Sequence, residues 1–213
     1  MPNRLILIIT LVLIIKSTVF TQENVEFPRN SLSFDALALL SSSVATGILS
    51  FADGTGAVLL NMSGQYEYQL SENFSLAARL EFKMFNFVEI INLSSVSMEM
   101  YGRYYPSGKF FFLDAMAGYA LFNMTAMPAS HFFKYGGRLG WRIDFKEPGG
   151  FFIEPYIGYS GSFGKSNVDF NFGSSSGSDF SIINDIINSM YNFIIKGYFV
   201  SGPMTGLSIG YRF

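Results

Sequence analysis

Along residues 73–85, NFSLAARLEFKMF, charged and apolar positions alternate one for one. As a strand, this stretch turns Arg79, Glu81 and Lys83 to one side and Ala78, Leu80, Phe82 and Met84 to the other. The same period of two recurs along the chain and predicts eight strands, at 31–41, 57–70, 74–85, 95–105, 110–122, 133–145, 151–163 and 203–213. The reversals Ser71-Glu72-Asn73, PSGK (106–109) and KEPGG (146–150) follow the second, fourth and sixth strands with the Gly, Pro, Ser and Asn that suit tight turns. Longer connections are expected after the first, third, fifth and seventh. Short connections at one end and long ones at the other are the mark of an even-stranded up-and-down barrel.

The parity of the charges is stricter than the strands alone require. One face of every predicted strand is free of ions, for example Leu76, Leu80, Met98, Leu113, Leu139 and Ile157. The opposite face collects seven acids, Asp35, Glu67, Glu81, Glu99, Asp114, Asp144 and Glu154, and seven bases, Arg79, Lys83, Arg103, Lys134, Arg138, Arg142 and Arg212. A wetted face has no need of such neutrality, whereas a narrow closed interior does, because an unpaired buried ion is expensive. The charge-bearing face is therefore assigned to the lumen and the apolar face to lipid. Tyr68, Phe74, Tyr104, Phe111, Phe145, Phe151, Tyr211 and Phe213 all fall near the short-turn end, where they would form an interfacial girdle.

Composition agrees with a chain that has little water to face. Only 14% of the 213 residues are charged, against about 25% in soluble domains, while aromatics reach 17% and mean hydropathy is +0.30. The longest apolar run, Leu5 to Ile15, spans 11 residues and is too short for a membrane helix. With Arg4 before it and STVFTQEN after it, it reads as an export signal over 1–21, followed by a lead-in over 22–30 and the barrel over 31–213. A net charge of −2 gives no basis for nucleic-acid binding, and the absence of Cys excludes disulfides and cysteine zinc sites.

The final segment, GLSIGYRF, places Leu207, Ile209, Tyr211 and the terminal Phe213 in alternation. Together with RYYPSGK and FIEPYIGY it resembles the small eight-stranded outer-membrane barrels, the class that includes OmpX, OmpW and the OmpA transmembrane domain, over roughly residues 30–213. The resemblance implies an all-β fold, an eight-stranded antiparallel transmembrane barrel in the outer membrane of a diderm bacterium, and a monomer surrounded by outer-membrane lipids. It also implies that Leu207, Ile209, Tyr211 and Phe213 are the signal presented to the outer-membrane assembly machinery. Pro155, which lacks an N–H, is expected at a bulge or at the start of a strand.

Candidate chemistry is sparse. His131 is the single histidine, so a His-rich metal site is excluded. A lipid A-modifying enzyme would need a nucleophile and base together, but Ser130 and His131 are strand neighbours that point to opposite faces, and PASHFF lacks the H-x-S spacing of the lipid A deacylases. No cofactor is expected. The inward charges, with Tyr101, Tyr105, Phe112, Phe152 and Tyr156 beside them, favour a lumen plugged by ion pairs over a narrow solute channel; a soluble lipocalin-like carrier is the remaining alternative. Arg79, Glu81 and Lys83 should pair across strands, with Glu67, Glu99 and Arg103, rather than along their own. The connection at 164–190 holds a flexible GSSSGS tip and, in SIINDIINSMYNFIIK, either an amphipathic helix or a hairpin extension from about 191. Structural or adhesive work on an extracellular ligand would belong to such loops.

Overall fold

A computed structural model describes residues 30–53, 58–87, 91–106, 110–124, 128–145, 149–165 and 199–213. The export signal at 1–21, the lead-in before 30 and nearly all of the 164–190 connection lie outside these residues. The described chain forms strands β1 (Asn30–Asp35), β2 (Val58–Gln69), β3 (Phe74–Phe87), β4 (Ile91–Tyr104), β5 (Phe111–Met124), β6 (Ser130–Trp141), β7 (Ile143–Asp144), β8 (Gly150–Lys165) and β9 (Gly202–Arg212), with helix α1 (Ala36–Asp53) between β1 and β2. Each strand pairs antiparallel with its predecessor, β7 continues the line of β6, and β9 returns to β1. The result is a closed eight-stranded up-and-down barrel. Its seam is tied at the end, where Asn30 N–H donates to Phe213 C=O at 3.1 Å and Phe213 N–H to Asn30 C=O at 2.8 Å.

The alternation of the sequence becomes the two faces of the wall. In β5, Phe112, Asp114, Met116, Ala120 and Phe122 are buried in the lumen while Leu113, Ala115, Ala117 and Tyr119 face outward. Among the described strand side chains, no Asp, Glu, Lys or Arg faces outward. The rings of Phe74 and Tyr104 pack at 4.9 Å between centres and those of Phe151 and Tyr211 edge-to-face at 5.2 Å, both on the outer surface at the short-turn end. A second band, containing Tyr119, Phe133 and Phe163, lies toward the other end.

The first predicted strand is corrected. Only Asn30–Asp35 are extended, and residues 36–41 begin α1 instead. Asp35 is the cause, since its Oδ1 accepts the N–H of Ala38 at 3.0 Å as an N-cap and the ALALL that follows consists of strong helix formers. Leu37, Leu40 and Val44 take the exposed side of the helix, and Ala38 and Ser42 the buried side. The hydroxyls of Ser42 and Ser43 both bond back to the Leu39 carbonyl at 2.9 Å, so these two carry no unmet donor into apolar surroundings.

The helix stands where the outer half of β1 would run. β1 pairs with β2 only through Gly64–Tyr68 and with β9 only through Ser208–Arg212. Beyond those pairs, residues 58–63 of β2 and 202–207 of β9 face each other with no strand between them. Thr46 of α1 takes over part of the missing ladder: its Oγ1 accepts Leu59 N–H at 2.7 Å and donates to Leu59 C=O at 2.8 Å.

Two other expectations change. Strands β3 and β4 run for 14 residues each and pair as far as Phe87 with Ile91, so the long connection expected after the third strand is mostly strand. At Pro155 there is neither a bulge nor a strand start: Gly140 pairs with Tyr156 and Ile143 with Ile153, an unbroken register. The missing N–H instead interrupts the facing ladder between Trp141 and Ile143, which divides β6 from β7.

Candidate functional site

The lumen is filled in tiers. At the short-turn end Arg103 forms the hub: its Nε and Asp114 Oδ1 are 2.7 Å apart, while Nη1 lies 3.0 Å from Glu67 and 2.9 Å from Glu154. Arg142 bridges the same two glutamates, and Arg138 holds the other side of Asp114. Ser75 and Tyr105 donate to Glu67 Oε1 at 2.5 and 2.8 Å. The guanidiniums also lie on rings, Arg103 3.9 Å from the centre of Phe112, Arg142 4.5 Å from Phe152 and Arg138 3.8 Å from Tyr101. Every one of these groups is buried. Arg212 pairs with Asp144 at 3.6 Å nearer the rim.

Inward glycines make room for the rings. A Cβ at Gly140 would lie 2.6 Å from Phe112 Cζ, and one at Gly206 2.3 Å from the Tyr156 ring and 2.5 Å from Asp35. The plug is thus built from large residues on β4, β5 and β8 set against absent side chains on β6 and β9.

In the middle tier Arg79 reaches Tyr156 Oη at 2.9 Å and Asp35 Oδ2 at 3.4 Å, and Tyr156 donates to the same Asp35. Asp35 therefore stops β1, caps α1 and anchors the lumen network. The next tier contains Glu81, 3.5 Å from Arg79, 3.4 Å from Lys83 and 3.5 Å from Lys134, while Lys134 also pairs with Glu99. Tyr101 donates to Glu99. Above this, Leu93, Ala120, Phe122, Phe132, Phe199 and Val200 close the lumen with an apolar layer.

The structure brings Asp35, Glu67, Arg79, Glu81, Lys83, Glu99, Arg103, Asp114, Arg138, Arg142, Asp144, Glu154 and Arg212 to the inner side of the wall. Their partners differ from the expected ones. Glu81 pairs with Arg79 and Lys83 along its own strand, and Arg79 bonds to Asp35 rather than to Glu67. In so narrow a lumen a long side chain reaches along its strand or across the axis as easily as to the adjacent strand, as the pairing of Lys134 on β6 with Glu81 on β3 illustrates. Sequence reasoning missed the hydroxyl donors Ser75, Tyr101 and Tyr156 and the helix. The signals were present in the inward parity of the tyrosines and in Asp35 before an apolar run with Leu37, Leu40 and Val44 at helical spacing.

Ser130 is buried in the lumen, whereas the His131 ring meets the Tyr119 hydroxyl at 2.5 Å on the exposed face. Among the described residues no group of three or more His, Asp or Glu is arranged to hold a metal ion. No helix among them is long and apolar enough to cross a membrane, a fact without bearing on strands. No protein-family model matches the chain, and no curated protein matches it in sequence.

Proposed function

We propose that this chain is a non-enzymatic outer-membrane β-barrel of a diderm bacterium, sealed to solutes, with structural or adhesive work carried by its long-loop end. The observation that carries the reading is the contrast between the two sides of one wall. The inner side holds two clusters of buried ion pairs, one around Arg103 and one around Glu81, with Tyr101 and Tyr156 between them, and the outer side presents apolar residues between aromatic bands. An apolar outer belt on a wall closed by strand pairing, with α1 and Thr46 covering the place where β1 ends, suits hydrocarbon, where an unsatisfied backbone group costs several kcal/mol. Arg103, bonded to three carboxylates and covered by Phe112, packs the lumen at the short-turn end with buried groups. Short turns and the paired ends Asn30 and Phe213 belong on the periplasmic side, and the connection after β8 on the cell surface. Planar-bilayer recording of the refolded chain tests the sealed lumen. A silent bilayer with inserted protein is expected; reproducible single-channel steps would replace this reading with that of a small-solute channel.

A further inference from the structure

The segment after β1 matches the space that β1 leaves. β1 pairs with β2 as far as Phe34 opposite Gly64, and with β9 as far as Asp35 opposite Ser208. Continuing that register would set Leu40 opposite Val58 and Ser41 opposite Gly202, the first residues of β2 and β9. Residues 36–41 therefore have the length of both bare edges. Their alternation would turn Ala36, Ala38 and Leu40 outward, and Leu37 and Leu39 inward with Asp35. On that inner side lies a chamber of about 200 Å³ whose lining includes Asn61 of β2, residues 202–205 of β9 and Ala38 of α1.

The helix in that place buries only small residues. Ala36, Ala38 and Ser42 form its buried side, while Leu37, Leu40 and Val44 stay exposed. It is tied to the barrel by the Asp35 cap and by the two bonds between Thr46 and Leu59. A strand would exchange those ties for a ladder along β2 and β9 and would bury Leu37 and Leu39. Asp35, whose carboxylate faces the lumen in either arrangement, gives the helical one its cap. Two packings of one segment with offsetting gains make a two-state element. We propose that residues 36–41 switch between the first turns of α1 and a continuation of β1, so that the chamber is present in the helical state and filled by Leu37 and Leu39 in the strand state.

The chain has no cysteine, so an introduced pair reports a single register. Leu40 and Val58 are both exposed, which makes them tolerant positions. In the helical state Leu40 lies about 9 Å along α1 from Thr46, the residue bonded to Leu59. In the strand state Leu40 and Val58 stand directly opposite, with Cα atoms about 4.5–5.5 Å apart and within disulfide reach. The full chain carrying Leu40→Cys and Val58→Cys is refolded in lipid vesicles, shown to be closed by its heat-modifiable mobility, and oxidised with diamide. An intramolecular disulfide is expected. The pair Leu40→Cys and Leu60→Cys, diagonal in the strand state at about 7–8 Å, should link about tenfold more slowly. Ser43→Pro breaks the helix beyond the proposed strand and should speed the first linkage about tenfold or more. No disulfide between positions 40 and 58 in a closed barrel would overturn the proposal. Equal rates for the two pairs would do the same, since they would mean a segment without register, and so would a closed Ser43→Pro barrel that links no faster than the parent. If that variant does not close, the comparison of the two pairs in the parent background decides.

Discussion

Arg103 and Leu80 show how differently one substitution acts on the two sides of the wall. Arg103 is the common partner of Glu67, Asp114 and Glu154, all buried. Arg103→Met leaves those three carboxylates two cations, Arg142 and Arg138, and removing one partner of a buried network costs about 3–5 kcal/mol. Urea unfolding of the refolded barrel in lipid vesicles should show a loss of that size; a near-neutral result would mean that water, rather than Arg103, neutralises the acids. Leu80, 62% exposed on the outer face, touches none of this network. Leu80→Arg should nevertheless cost about 2–4 kcal/mol in the same vesicles, because the charge would enter hydrocarbon. If it folds as well as the parent, the outer face meets water rather than hydrocarbon. Which side each charge would take was legible in the sequence, because that question needs only a period of two. Which acid each base would choose was not, because Lys134 and Glu81 meet across a lumen whose width no single strand encodes.

At the level of elements, the chain gave two answers for one segment. Residues 31–41 alternate well enough for a strand, yet the ALALL after Asp35 also presents Leu37 and Leu40 on one side of a helix. Local pattern cannot choose between them. The choice is made by Asp35, whose carboxylate caps α1 with one oxygen while Arg79 and Tyr156 hold the other, so that the lumen fixes the cap in place. The helix then has to serve the strand edges it leaves bare, and Thr46 does so for both backbone groups of Leu59. Thr46→Val keeps the shape and removes both bonds. It should destabilise the barrel by about 1–3 kcal/mol and speed hydrogen exchange at the Leu59 amide ahead of its β2 neighbours. Unchanged exchange at Leu59 would mean that α1 lies against the barrel without completing its wall. Pro155 teaches a related lesson: the missing N–H was foreseen, but its effect fell on the pairing of the opposite strand while the register of β8 held.

For the whole molecule, closure depends on the last strand finding the first, and Phe213 serves that step through its backbone. As backbone, Phe213 exchanges hydrogen bonds with Asn30 and ties the seam at the short-turn end. As a side chain, it is exposed, with Tyr211, on the outer surface, where it contributes nothing to the packing of the lumen. A sequence-derived role in presentation to the assembly machinery therefore rests on a ring that the finished barrel does not need for its interior. Phe213→Ala retains both backbone bonds and loses only the ring. It should refold into vesicles with a midpoint close to that of the parent, since an exposed substitution away from special features shifts stability by about 0.5 kcal/mol or less. The same variant expressed in a diderm host should reach the outer membrane more slowly and in smaller amount, measured as the heat-modifiable folded band in outer-membrane fractions. Removing Phe213 altogether would sever the seam as well and should lower both quantities. If Phe213→Ala impairs refolding in vesicles as much as it impairs assembly in cells, the ring is a structural clasp at the membrane interface and the alternating terminus carries no separate signal.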